Sequence, residues 1–103
     1  MIVARDVFQA KYGNGGDLAD LFKEMLPKLE RAIGEVGGGE TRLMEDLSGE
    51  FFTIVSEYTL PSLSAWEAAR EKMFAIPEFG PLFERMMPLV DTGKREFWNV
   101  VSD

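Results

Sequence analysis

The residues of this chain that could do chemistry are delimited by two absences: it contains no His and no Cys. That removes the usual zinc sites, thiolate and imidazole haem ligation, cysteine nucleophiles, the Ser-His-Asp triad and imidazole acid-base work. Chemistry falls to Asp, Glu, Lys, Arg, Tyr, Ser and Thr. Of these, the groups set inside strand-like runs carry the most information: Arg5, Arg42, Glu57 and Tyr58, with the amides Gln9 and Asn99. One reading makes the charged ones structural ion pairs, because a buried charge needs a partner. The other makes them a site, in which Arg5 or Arg42 orients an anionic or phenolic ligand while Glu57 or Tyr58 handles a proton. Trp66 is either core or the aromatic wall of a ligand cavity, and Trp98 either that or an interface anchor. The ligand-binding candidates are therefore Trp66, Trp98, Gln9 and Asn99.

Other motifs argue against specific chemistries. Gly13-Asn14-Gly15-Gly16 lies between a strand and a helix, where phosphate loops occur. It matches neither G-x-G-x-x-G, because residue 18 is Leu, nor the P-loop with its Lys, and Asp17 beside it would repel an anion. It reads as a connecting turn. No Ca loop of the D-x-D-x-D-G type is present, so no metal and no cofactor is implied. The charged groups Lys23, Lys28, Glu30 and Arg31 read as a solvated helix face, and the Met residues as adaptable core filler that would also suit a hydrophobic pocket.

The elements that must position these groups belong to one domain, residues 1–103, with 46% apolar residues. The net charge is -7 and the longest basic run is Lys94-Arg95, which disfavours nucleic acid. No apolar window is long enough for a membrane span, and the first residues lack a secretory pattern, so a cytoplasmic protein is expected. A domain this size buries only about two thirds of its unfolded surface. With 12% aromatic residues and six Met, self-association is expected.

Along the chain, Met1 to Lys11 reads as a strand whose faces, Ile2-Ala4-Asp6-Phe8-Ala10 and Val3-Arg5-Val7-Gln9-Lys11, are both partly polar. Asp17 to about Val36 has a helical stripe from Leu18 to Val36, with Pro27 predicting a kink rather than a break, and Gly37-Gly38-Gly39 ends it. Glu40–Leu47 and Phe51–Thr59 read as strands joined by a hairpin turn at Ser48-Gly49-Glu50, the second buried on both faces. Ser62 or Ser64 caps the next helix, Ser64 with Glu67 as a capping box. That helix stops at Ile76-Pro77, and a second piece, Glu78 to Val90, is distorted near Pro88. Asp91-Thr92-Gly93 reads as a turn, and Lys94 to Val101 as the last strand.

Strand, helix, strand, strand, helix in two parts, strand is the ferredoxin-like α+β order βαββαβ. Right-handed crossovers give a four-stranded antiparallel sheet of order 4-1-3-2 with the helices on one face. The other face carries large apolar groups and no cover, which predicts a homodimer packed sheet against sheet. At this point a resemblance enters. Ser64-Ala65-Trp66-Glu67-Ala68-Ala69-Arg70-Glu71 followed by Pro77-Glu78-Phe79, in this layout, resembles the dimeric α/β barrel superfamily, and within it antibiotic-biosynthesis-monooxygenase-like and NIPSNAP-like proteins. Many monooxygenase-like members carry a His a few residues before that proline; Met73 stands there, which speaks against haem degradation through a proximal His. Three roles follow, in this order: a homodimer of undetermined biochemical role that binds a small apolar or aromatic molecule; a cofactor-independent monooxygenase or isomerase; a structural or interaction module without ligand.

Overall fold

Two-residue alternation along the first strand decides which groups meet the helices. A computed structural model describes residues 1–102, with β1 (Ile2–Ala10), α1 (Gly15–Glu35), β2 (Thr41–Glu45), β3 (Thr53–Leu60), α2 (Leu63–Phe74), α3 (Phe79–Met86), a 3₁₀ turn (Met87–Leu89) and β4 (Val90–Asn99). The sheet order is β2-β3-β1-β4 with every neighbouring pair antiparallel, the expected order read from the opposite edge. In β1, Ile2, Ala4 and Ala10 are buried. In β3, Ile54, Ser56, Tyr58 and Leu60 are buried under the helices, and Val55 and Glu57 alternate to the other face. Among the described residues, no helix is long and apolar enough to cross a membrane.

α1 contributes Leu18, Leu21, Phe22, Met25 and Ile33 to the core, the stripe expected from its period. It runs through Pro27 without a break. The core forms two clusters, one around Leu18, Leu21, Ile54 and Leu82, the other around Ile2, Ala4, Ile33 and Leu60. α1 ends in a Schellman turn: Gly37 is left-handed, with φ 84°. Its N–H reaches the Gly34 carbonyl at 3.1 Å, and the Gly38 N–H reaches the Ile33 carbonyl at 2.8 Å. Gly38 is then pressed between α1 and β3. A Cβ there would lie 2.8 Å from both the Ile33 and the Thr59 carbonyl oxygens.

Several boundaries differ from the sequence-based expectation, each for a local reason. α1 starts at Gly15 rather than Asp17. β3 starts at Thr53, not Phe51, because Phe52 adopts φ 59° and leaves the strand. Its ring packs against the core and stands edge-on to Tyr12 at 4.9 Å, contacts that offset the cost of a left-handed Phe. The connection between β2 and β3 is accordingly a loop, closed when the Asp46 carboxylate accepts from the Thr53 N–H at 3.0 Å. Ser62, not Ser64, caps α2, its hydroxyl accepting from the Ala65 N–H at 3.1 Å. The helical piece after Pro77 gives way to the 3₁₀ turn at Met87–Leu89, around Pro88. Asp91-Thr92-Gly93 is not a turn but part of β4, with Gly93 paired with Phe8, Thr92 with Gln9, and Asp91 at a shift in the register. Gly93 is needed because a Cβ would fall 2.9 Å from the Phe8 ring.

The two glycines at the end of α1 should respond to alanine in opposite senses. Gly34 is helical with nothing within 4 Å of a Cβ, so Gly34→Ala raises stability by about 0.5–1 kcal/mol. Gly38→Ala lowers it by about 2 kcal/mol, since backbone oxygens cannot give way as side-chain ends do. Urea denaturation of both variants measures the pair, and equal effects would refute the close backbone approach at Gly38.

Candidate functional site

The two core clusters do not close on each other. Between sheet and helices lies a cavity of about 400 Å³, lined by Phe22, Met25 and Met86 from the first cluster and by Ile33, Tyr58 and Ala69 from the second. Its floor is the helix-facing side of the sheet: Asp6 and Phe8 of β1, Ser56 and Tyr58 of β3, Arg95 of β4. α2 adds Trp66, Arg70, Met73 and Phe74, and α3 adds Phe79, Gly80 and Phe83. Phe74 and Phe83 are 57% and 43% exposed and stand at the rim. The side chains that reach it do so because α2 and α3 are separate short helices, broken at Ile76-Pro77, that cover the sheet incompletely.

Polar groups gather in one corner. Asp6 and Arg95 face each other in the β1–β4 register, and Arg95 Nε donates to Asp6 Oδ1 at 2.6 Å. The Arg95 guanidinium also lies over the Trp66 ring at 5.0 Å. Trp66 is held on two further sides: Phe97 meets it edge-on at 5.1 Å, and its Nε1 donates to the Tyr58 hydroxyl at 3.2 Å. Burial, and then the Asp6 charge, push the Tyr58 phenol up to about 12. At neutral pH Tyr58 keeps its proton, and since its oxygen already accepts from Trp66, its O–H is the donor left to a ligand. Among the described residues Asp6 is the one carboxylate lining the cavity, and Arg95 occupies it.

The opposite face carries a different arrangement. Register places Arg42, Glu57, Arg5 and Glu96 in one row across all four strands. Glu57 is clamped by Arg42 Nη2 at 2.7 Å and Arg5 Nε at 2.8 Å, and Arg5 reaches Glu96 at 3.8 Å. The Arg42 hydrogen bond, opposed by burial and aided by Arg5, holds the Glu57 carboxyl below the usual carboxylate range. Beside the row lie Val7, paired with Val55, and Val3, paired with Trp98. Trp98 is 53% exposed.

The residues singled out in the sequence thus divide between the faces. Tyr58 and Trp66 meet at the cavity. Arg5, Arg42 and Glu57 form the charged row instead. Gln9 shares their face, bonded to Thr53 Oγ1 at 2.9 Å and to the Phe51 carbonyl, and Trp98 donates to Glu96 at 3.3 Å. Asn99 pairs with Ile2 at the end of the β1–β4 ladder and does not line the cavity. Asp6, Ser56, Arg70 and Arg95 were missed. The available signal was Asp6 itself, an acid in the middle of the Ile2-Ala4-Phe8-Ala10 alternation.

No family model and no curated protein matches the chain. Solved structures do. An uncharacterized NIPSNAP domain protein from Burkholderia xenovorans superposes with a TM-score of 0.81 at 16% identity, over 99% of this chain and 96% of its own. An antibiotic biosynthesis monooxygenase gives 0.75 at 14% identity, over 99% and 100%. SnoaB, a cofactor-independent oxygenase from Streptomyces nogalater, gives 0.66 at 14% identity, over 99% and 94%. The chain has the fold these NIPSNAP and monooxygenase structures share.

The charged row has a pH signature. Because the Glu57 pKa is lower folded than unfolded, its contribution is present above the unfolded value of about 4.3 and is lost as pH falls through the folded value. Glu57→Gln leaves two guanidinium groups without their shared anion and costs about 1–2 kcal/mol at neutral pH. The difference from wild type narrows as the solution is acidified below about pH 4. Denaturation midpoints across that range check it; a gap that widens toward acid contradicts the assignment.

Proposed function

We propose that the chain is a cytoplasmic homodimer, paired through the open face of its sheet, that binds a small apolar or aromatic molecule in the cavity on the other face. The cavity carries the reading. Its volume of about 400 Å³ falls within the range of about 300–1,000 Å³ typical of ligand sites. Its walls are Phe and Met, and its few polar groups converge on one corner, where Tyr58 offers a proton and Trp66 a fixed aromatic face. Met25, Met73 and Met86 supply walls that adjust to the shape of a guest.

The dimer rests on the open face. Arg42, Glu57, Arg5 and Glu96 alternate in sign along their row. A two-fold axis running along the strands reverses the row against its copy, so each Arg meets a Glu. Val3, Val7, Val55 and Trp98 provide apolar area beside it, and burying them supplies the driving force the ion pairs alone would not.

A second reading, a cofactor-independent monooxygenase or isomerase, is favoured by the likeness to SnoaB and by the Tyr58 donor. The hydroxyl and Arg95 would steady a developing enolate or phenolate oxygen, while the substrate supplies the carbanion.

Light scattering at micromolar concentration should give the dimer mass, and Val55→Arg, which sets a charge in the apolar part of the open face, should give the monomer. A wild-type monomer would sink the pairing. Naphthamide, a neutral planar probe, should raise the melting temperature, equivalent to about 2.7 kcal/mol at a hundredfold excess over its dissociation constant. Ala69→Phe, which fills the cavity from α2, should abolish that shift. For the enzyme reading, oxygen uptake with a dihydroxynaphthalene should fall in Tyr58→Phe; uptake equal in the two proteins removes Tyr58 from the mechanism.

A further inference from the structure

The charges that line the cavity are unevenly matched. Asp6 and Arg95 satisfy each other at 2.6 Å. Among the described residues, the remaining charged group of the lining is Arg70 on α2. Among the described residues, it takes part in none of the ion pairs and none of the side-chain hydrogen bonds. In a chain with 18 acidic and 11 basic residues, a guanidinium without a carboxylate partner is the less expected outcome. Arg70 is nevertheless held. Its guanidinium carbon lies 4.8 Å from the Phe74 ring centroid and 5.9 Å from that of Trp66. Stacking on two aromatic rings orients the planar fork at the rim while leaving its N–H donors unspent by the protein.

From this placement we infer that the occupant of the cavity is an organic anion, an aromatic or alkyl carboxylate whose apolar body lies among the Phe and Met walls and whose carboxylate meets Arg70 at the rim. The inference rests on the cavity being the ligand site. Two physical points support the polarity of the arrangement. A planar carboxylate matches the guanidinium fork in a bidentate pair, and the fork is already oriented, so little further ordering is required. A carboxylate at the rim also stays in part hydrated, avoiding the desolvation that deep burial beside Asp6 would impose.

Naphthoate and naphthamide, equal in shape and different in charge, separate the anion claim from the cavity claim when their binding is compared by calorimetry. Naphthoate should bind the wild-type protein at least about tenfold more tightly than naphthamide, as one charge-assisted bidentate contact implies. Arg70→Gln, a change at an exposed position, should bring the ratio of the naphthoate to the naphthamide affinity to about one, and Arg70→Lys should retain part of the preference. Equal affinity of the two probes for wild type, or a preference that survives Arg70→Gln, overturns the anion inference while the cavity reading stands on naphthamide binding. Failure of both probes to bind at millimolar concentration overturns the cavity reading and this inference with it.

Discussion

Everything in this molecule depends on the alternation of one central strand. β1 is hydrogen-bonded on both edges, to β3 and to β4, so its register is locked on two sides. Shifting it by one residue would exchange its faces: Arg5 would go under the helices and Asp6 to the open side. As it stands, the two neighbouring charges have opposite destinations. Arg5 joins Glu57 and Glu96 on the open face, and Asp6 joins Arg95 beneath the helices. Each thereby finds a cross-strand partner in register, which is what lets ionised groups sit in a sheet this small without an unpaired buried charge.

The fold was legible because the period of the sequence changes where the structure changes. The stripe from Leu18 to Ile33 could belong only to a helix, and the Ile54-Ser56-Tyr58 alternation only to a strand. What misled was local chemistry with two physical uses. Asp91-Thr92-Gly93 has the composition of a turn, yet its glycine serves a close approach to Phe8 that only the assembled sheet creates. Phe51 and Phe52 have strong strand propensity, and tertiary contacts of the Phe52 ring with Tyr12 and the core outweigh it.

The candidate site was legible in halves for the same reason. Tyr58 and Trp66 belong to adjacent elements, so a strand leading straight into a helix brings them together at 3.2 Å with little left to chance. Asp6 and Arg95 are 89 residues apart, and their meeting depends on the β1–β4 register, which no local pattern encodes. Arg70 was legible as part of a helix face, but that it lacks an acidic partner is a property of the folded surface. Polar residues within strands were the right class to search. Which face each takes decides its role, and alternation alone cannot say which face the helices will cover.

The chemistry open to the cavity follows from how its polar groups are already committed. Tyr58 holds its proton well past neutrality, and the Asp6 carboxylate is engaged by Arg95, so neither is poised to remove a proton from a guest near pH 7. Glu57, the other acid of the central strands, lies on the far side of the sheet between two guanidinium groups. What the corner offers a bound molecule is therefore a phenolic donor beside a fixed aromatic face, with the Asp6–Arg95 charges already matched to each other, in a site shielded by Phe and Met. The burial and the Asp6 charge that push the Tyr58 phenol up act in the same sense on any acidic guest placed there, so the corner suits a neutral acceptor rather than a negative charge.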